Sequence, residues 1–153
     1  MITESDSATI GQMCCLMTAD NYYGGFVLRD LRRLIIPPVT LKQFLLFKHR
    51  NEAVGFLTYG MVSEDVERDV LLADQRFQPE HWRSGNRAWI IDCVIAAGSP
   101  RLLQPKLFAA FRDFSEVKYL RRDKMQKIKS VNRYVNSGQS FKRIPWIERN
   151  DFT

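Results

Sequence analysis

Trp82-Arg83-Ser84-Gly85-Asn86-Arg87-Ala88-Trp89-Ile90-Ile91-Asp92-Cys93 holds the strongest structural signal in the chain. Its front half, Arg83 to Arg87, reads as a polar turn in which Gly85 supplies a positive φ. Its back half runs on through Val94-Ile95-Ala96 as a strand over 87–96. Side chains alternate across a strand, so Ala88, Ile90 and Val94 are expected on the face of Asp92. Trp89, Ile91, Cys93 and Ile95 are expected on the other. Two apolar faces mark a central strand covered on both sides. A carboxylate placed there must be paired, hydrogen-bonded or shifted in pKa. Arg87 or Arg83 is a candidate partner for it.

Upstream, Ile10, Met13, Cys14 and Met17 recur at helical spacing, predicting a helix to about Asp20 capped by Ser7 or Thr9, after a loose segment 1–8. Cys14 reads there as core filler. Asn21-Tyr22-Tyr23-Gly24-Gly25 breaks that helix, and a second one from Val27 to Ile35 is stopped by Pro37-Pro38. The aromatic-rich runs 43–47 and 53–59 form a hairpin. Ser63 with Glu64 and Asp65 starts a helix to about Ala73, its acids favoured by the macrodipole. Downstream of the central strand, Gly98-Ser99-Pro100 precedes a helix over 102–114 with Pro105 in its first turn. A second hairpin follows over 117–121 and 128–134, and the tail from about 136 carries no clear signal and reads as loosely ordered. The pattern predicts one α+β domain over 1–153, with a mostly antiparallel sheet and helices packed on it.

The 153 residues carry a net charge of +6, unevenly spread: from Lys118 to Arg149 ten Lys/Arg face two acids. Such a segment suits an acidic partner, be it nucleic acid, a membrane surface or an acidic protein, or else is a solvated face. No run approaches ~18 apolar residues, so a membrane span is not expected. The N-terminus lacks the pattern of a cleaved signal, and three cysteines without metal-ligand spacing suit reduced thiols; both point to the cytoplasm.

Several stretches then add up. Gly11-Gln12-Met13, Leu34-Ile35-Ile36-Pro37-Pro38, Gln43-Phe44, Val54-Gly55-Phe56 with Tyr59-Gly60, Trp82 to Asp92, and Tyr119-Leu120-Arg121-Arg122 occur in one order and spacing. Together they resemble the toxin-activating lysine acyltransferases that act on RTX toxins, from about Gly11 to Tyr134. The element order is also similar to the Gcn5-related N-acetyltransferase fold. The Gln/Arg-x-x-Gly-x-Gly/Ala loop with which those enzymes hold coenzyme A is absent, so a donor gripped through coenzyme A phosphates is not expected.

The resemblance implies an enzyme that takes a fatty acyl group from acyl carrier protein and forms an amide on a lysine of a protoxin. It also implies self-association into a homodimer, and a co-substrate rather than a bound cofactor or metal. It implies a catalytic pair, a histidine after the first helix and an aspartate in the central strand. The aspartate falls on Asp92, and an ungapped count from Gly11 puts Tyr23 in the histidine's place. The only histidines, His49 and His81, lie elsewhere and read as turn and loop residues. Tyrosine, with a pKa of about 10, is a poor base at neutral pH. Three accounts are open: positioning of a reactive thioester with Tyr23 donating a hydrogen bond, a different base or nucleophile, or a relative that only binds carrier protein or client. The basic hairpin, Lys118, Arg121, Arg122, Lys124, Lys127 and Lys129, is read as a docking site for acidic acyl carrier protein. Nucleic-acid binding, with Tyr119 and Tyr134 as stacking platforms, ranks below it because no nucleic-acid module signature is present.

Overall fold

The computed structural model describes residues 1–96 and 104–148. The chain runs α1 (Glu4–Thr18), a 3-10 turn (Tyr23–Gly25), α2 (Leu28–Leu34), α3 (Ile36–Thr40), β1 (Phe44–His49) and β2 (Glu52–Val62). It continues with α4 (Glu64–Val66), which widens into a π turn (Glu67–Leu71), a 3-10 turn (Pro79–His81), β3 (Arg87–Ile95) and α5 (Gln104–Phe111). The last elements are β4 (Glu116–Arg122), β5 (Ile128–Asn136) and β6 (Phe141–Glu148). The strands form one six-stranded sheet in chain order, antiparallel throughout except between β3 and β4. This is the expected α+β architecture. No helix among the described residues is long and apolar enough to cross a membrane.

Local chemistry moves several boundaries. Helix α1 begins at Glu4 because Thr3 Oγ1 accepts the Asp6 amide while the Asp6 carboxylate accepts the Thr3 amide. Residues 4–8 are therefore helical rather than loose, and neither Ser7 nor Thr9 is the cap. Asp6 is held from below by Lys42. α2 does end ahead of Pro37 and Pro38, at Leu34, but the chain re-enters a helix at once, and the prolines sit in the first turn of α3, where their missing N–H groups cost nothing. Ser63 does cap α4, accepting from the Val66 amide, but the helical run closes at Leu71. The tail that carried no signal pairs with β5 as β6. Gly138, at φ 86°, turns the chain into it, and Pro145 is tolerated because β6 is an edge strand. The expected break at Gly98–Pro100 and the start of the following helix at 102–103 lie outside the described residues.

Helices cover both faces of the sheet. On one, Met13, Leu16, Met17, Ile35 and Val39 pack on Phe56 and Val94, adjoining Leu34, Val62, Leu71, Trp82, Trp89 and Val131. On the other, Phe111 of α5 packs on Phe47, Leu57, Ala88, Val117 and Phe141.

Two irregularities in β3 shape the centre. The register against β2 pairs Thr58 with Asp92 but Tyr59 with Ile90, so Ile91 is an extra residue, a β-bulge. Strict alternation fails there. Trp89, Ile91, Asp92 and Val94 all point to the α1–α4 face, while Ala88, Ile90 and Ile95 point to the α5 face. Asp92 thus shares its face with Trp89, not with Ala88 and Ile90 as expected. The second irregularity is the parallel pairing with β4, which consists of Trp89↔Lys118 and Ile90↔Tyr119 alone. Every other neighbouring pair of strands matches six to eight residues. Beyond Ile90 and Tyr119 the two strands part.

The segment 82–86 is tied along the end of β2. Trp82 O accepts from the Met61 amide, Met61 O from the Gly85 amide, and Ser84 Oγ from the Ser63 amide. Gly85 has no positive φ. Its requirement is close approach, since a Cβ there would lie 2.5 Å from Ser63 Cα and 2.6 Å from Val62 O.

Candidate active site

The turn after α1 is built by Asp20, whose Oδ1 accepts the amides of Tyr22 at 2.8 Å and Tyr23 at 2.9 Å. That fixes the Tyr23 ring edge-on to Tyr22 and tilted against Phe26. Its hydroxyl then donates to Asp92 Oδ1 at 2.9 Å, across 69 residues of sequence. The Cys93 amide also bonds to the same hydroxyl. Asp92 is 7% exposed, its own amide bonds Thr58 Oγ1, and its Oδ2 has no partner.

Burial pushes the Asp92 carboxyl up to about 6; the Tyr23 hydrogen bond and the charges of Arg33 and Arg122 pull it back only partly. Burial and the Asp92 charge hold Tyr23 well above the ordinary tyrosine range, so it is a neutral donor. Cys93 lines the cleft with its surface exposed, and the protein around it together with the Asp92 charge pushes its thiol up, away from thiolate character. At neutral pH the site therefore offers an ionised, poorly solvated carboxylate with one free oxygen. Such a group can accept a proton from an incoming cationic amine.

A cleft of about 650 Å³ opens over this pair, where β3 and β4 have parted. Trp89, Ile91, Leu120, Leu34 and Phe77 make its walls apolar, and Arg33, Arg76 and Arg122 bring cations to it. Arg33 is braced by Phe77 O and Asp30, and Arg122 by Asp74 and Gln126 O. Among the described residues no group of three His, Cys, Asp or Glu side chains could hold a metal ion.

The structure thus brings Tyr23, Asp92 and Arg122 to one cleft, with Lys124 and Lys127 exposed on the adjacent β4–β5 turn. Arg121, exposed, alternates to the other face. Lys118 does not belong to a docking surface. Its side chain is 8% exposed and bonds the Glu67 carboxylate, with Trp146 stacked over its ammonium. Arg87 likewise turns to Glu67 and Glu64 rather than to Asp92, and Arg83 is exposed. His49 is exposed at the end of β1, and His81 accepts the Gln78 amide through Nδ1. Neither lines the cleft.

Sequence reasoning missed Glu67. This second buried acid accepts from Trp89 Nε1 at 2.8 Å and from both Lys118 and Arg87. Burial raises its pKa, but these three donors outweigh burial and hold it below the usual carboxylate range. Its signal was its place on the apolar stripe with Val66, Val70 and Leu71, where an acid is out of register. Glu67 is saturated, which makes it a structural anchor. Asp92 is not.

The profile of the RTX toxin acyltransferase family matches residues 2–135. The chain is similar to the leukotoxin-activating lysine-acyltransferase LktC serotype A1 of Mannheimia haemolytica, at 28% identity over 54% of this chain and 50% of that protein. It is similar to the protein-lysine palmitoyltransferase CyaC of Bordetella bronchiseptica, at 24% identity over 58% of this chain and 48% of the relative. The lysine-acyltransferase RtxC of Vibrio cholerae is 24% identical over 60% of this chain and 61% of the relative. With the first of these relatives, the chain spans about half of their length.

Proposed function

The chain belongs to the RTX toxin acyltransferase family, and we propose that it moves a fatty acyl group from a carrier-protein thioester to a lysine ε-amine of a protoxin, with Asp92 itself as the base. The observation that carries this reading is the buried Asp92 carboxylate, raised to about 6, with Oδ2 free and Oδ1 held by Tyr23. A base poised near the working pH is what deprotonating an ammonium requires. Asp92 Oδ2 takes a proton from the lysine ammonium, and the amine attacks the thioester carbonyl. The C–N bond forms, the C–S bond breaks, the attacking nitrogen gives its second proton to the departing thiolate, and the first leaves Asp92 for solvent. Tyr23, neutral at any working pH, orients the carboxylate rather than replacing the histidine as base. The donor is acyl carrier protein, whose acidic surface is matched by Arg122, Lys124 and Lys127 around the β4–β5 turn, Arg121 lying on the other face of β4.

A second reading has its own support. The expected histidine is replaced by a side chain that cannot act as a base near neutrality, so a relative that only binds carrier protein or client would look the same at Tyr23. Intact-mass measurement of a lysine-bearing protoxin fragment, incubated with acyl carrier protein thioester and the full chain, separates the two. Transfer gives one acyl increment, and Asp92→Asn lowers its rate by about 10²-fold or more, the loss expected for a general base. The rate rises with pH through about 6 as Asp92 ionises. No increment with the native chain, together with transfer by Tyr23→His, establishes the binding reading instead.

A further inference from the structure

The two rims of the cleft end in the same chemistry. On the α2 side, Tyr22, Val27 and Leu28 are apolar side chains exposed at 45%, 59% and 83%. Arg29 and Arg32 are exposed beside them. On the opposite side the β4–β5 turn carries Met125, 79% exposed, between exposed Lys124 and Lys127. This turn is held in shape: Asp123 Oδ1 accepts the amides of Met125 and Lys127. Tyr22 and Arg122 both line the cleft, Tyr22 on the segment that leads into α2 and Arg122 on the one that leads into the β4–β5 turn.

The charges on these rims are uncommitted. Arg29, Arg32, Lys124 and Lys127 enter no ion pair among the described residues, whereas Arg33 and Arg122, deeper in, are paired with Asp30 and Asp74. Unpaired cations around protruding Leu28 and Met125 complement a surface that sets apolar side chains among carboxylates.

We infer that the two rims form one docking surface for an acidic carrier protein, which seats apolar side chains against Leu28 and Met125 while its thioester arm enters the cleft between them. The inference rests on the carrier-protein donor proposed above and adds to it the α2 rim and the apolar contacts. The cations set the encounter rate and its salt dependence, and the apolar pair sets residence time.

The test compares two donors carrying one acyl group, acyl carrier protein thioester and the free pantetheine thioester, with the full chain and its Leu28→Asp, Met125→Asp and Arg32→Glu variants. Each variant is expected to lower kcat/KM with the carrier-borne donor by about tenfold or more and to leave the pantetheine thioester within about twofold. Equal losses with both donors, or no loss with either, overturn the inference. If neither donor supports transfer, the acyl-transfer reading fails instead, and titration of holo acyl carrier protein then judges the surface. Binding lost in Leu28→Asp supports it. Unchanged binding, displacement by a single-stranded oligonucleotide, or a dimer of this chain that Leu28→Asp dissociates overturns it.

Discussion

Two buried acids, Glu67 and Asp92, show how environment assigns roles to the same functional group. Glu67 is surrounded by three donors and held in its charged form; Asp92 has one donor and one free oxygen, and burial works against its charge. The stability consequence has a definite sign. The folded-state pKa of Asp92 lies above the ordinary carboxyl value of 3.8, at about 6. Below the lower value the group is protonated in both states and costs nothing; as pH rises through the upper one the folded state must carry a buried charge. At ~1.4 kcal/mol per pH unit, the native chain loses on the order of 3 kcal/mol between these limits. Asp92→Asn keeps the acceptor for Tyr23 without the charge. It is expected to raise Tm by several degrees at pH 7.5, with the gain vanishing near pH 4. Thermal unfolding of both chains at the two pH values checks this; an Asn variant less stable at pH 7.5 than at pH 4, relative to the native chain, contradicts it. A residue that destabilises the fold where it is ionised is the expected mark of a functional site.

Among the elements, β3 does the positioning, and it does so by being irregular. The bulge at Ile91 turns Asp92 onto the face of Tyr23, and the early end of pairing with β4 opens the space above it. A regular strand would have aimed Asp92 at the α5 face, away from the cleft. The segment that feeds β3 is registered by its lashing to β2 through Gly85. In Gly85→Ala the new methyl must displace Ser63 backbone rather than a movable side chain. We expect a loss of about 1–3 kcal/mol, the cost of overpacking, read as a lower urea midpoint with an unchanged m-value. An unchanged midpoint would show that the segment yields easily. The strand, its two-sided burial and its central acid were legible from hydrophobic pattern alone. The bulge was not, because it is set by how β2 and β3 match, and Thr58 lies 34 residues from Asp92.

Across the whole molecule, β6 closes a sheet whose family match ends at residue 135, one residue before the end of β5. It buries Phe141 in the α5-side core and lays Trp146 over the Lys118 ammonium. Truncation after Asn136 therefore removes a packed strand rather than a loose tail. The shortened chain is expected to unfold at lower denaturant and to aggregate, since β5 would become an unprotected edge. Size-exclusion chromatography with a urea titration reads both effects, and a monomer with the native midpoint would refute the assignment.

What the sequence determined by itself was the order of the main helices and strands through β5, α3 excepted, and the buried acid of the central strand. Periodicity and turn chemistry act between near neighbours, and the resemblance to the toxin-activating acyltransferases is what set Tyr23 opposite Asp92. The tertiary structure alone decided which way Asp92 faces, that Glu67 rather than Asp92 takes Arg87 and Lys118, and that the tail is a strand. Each of these depends on hydrogen bonds, ion pairs and burial between segments far apart in the chain. Lys118 and Arg122 look alike in one basic run; only the acid that the fold brings to each distinguishes the core cation from the one at the cleft.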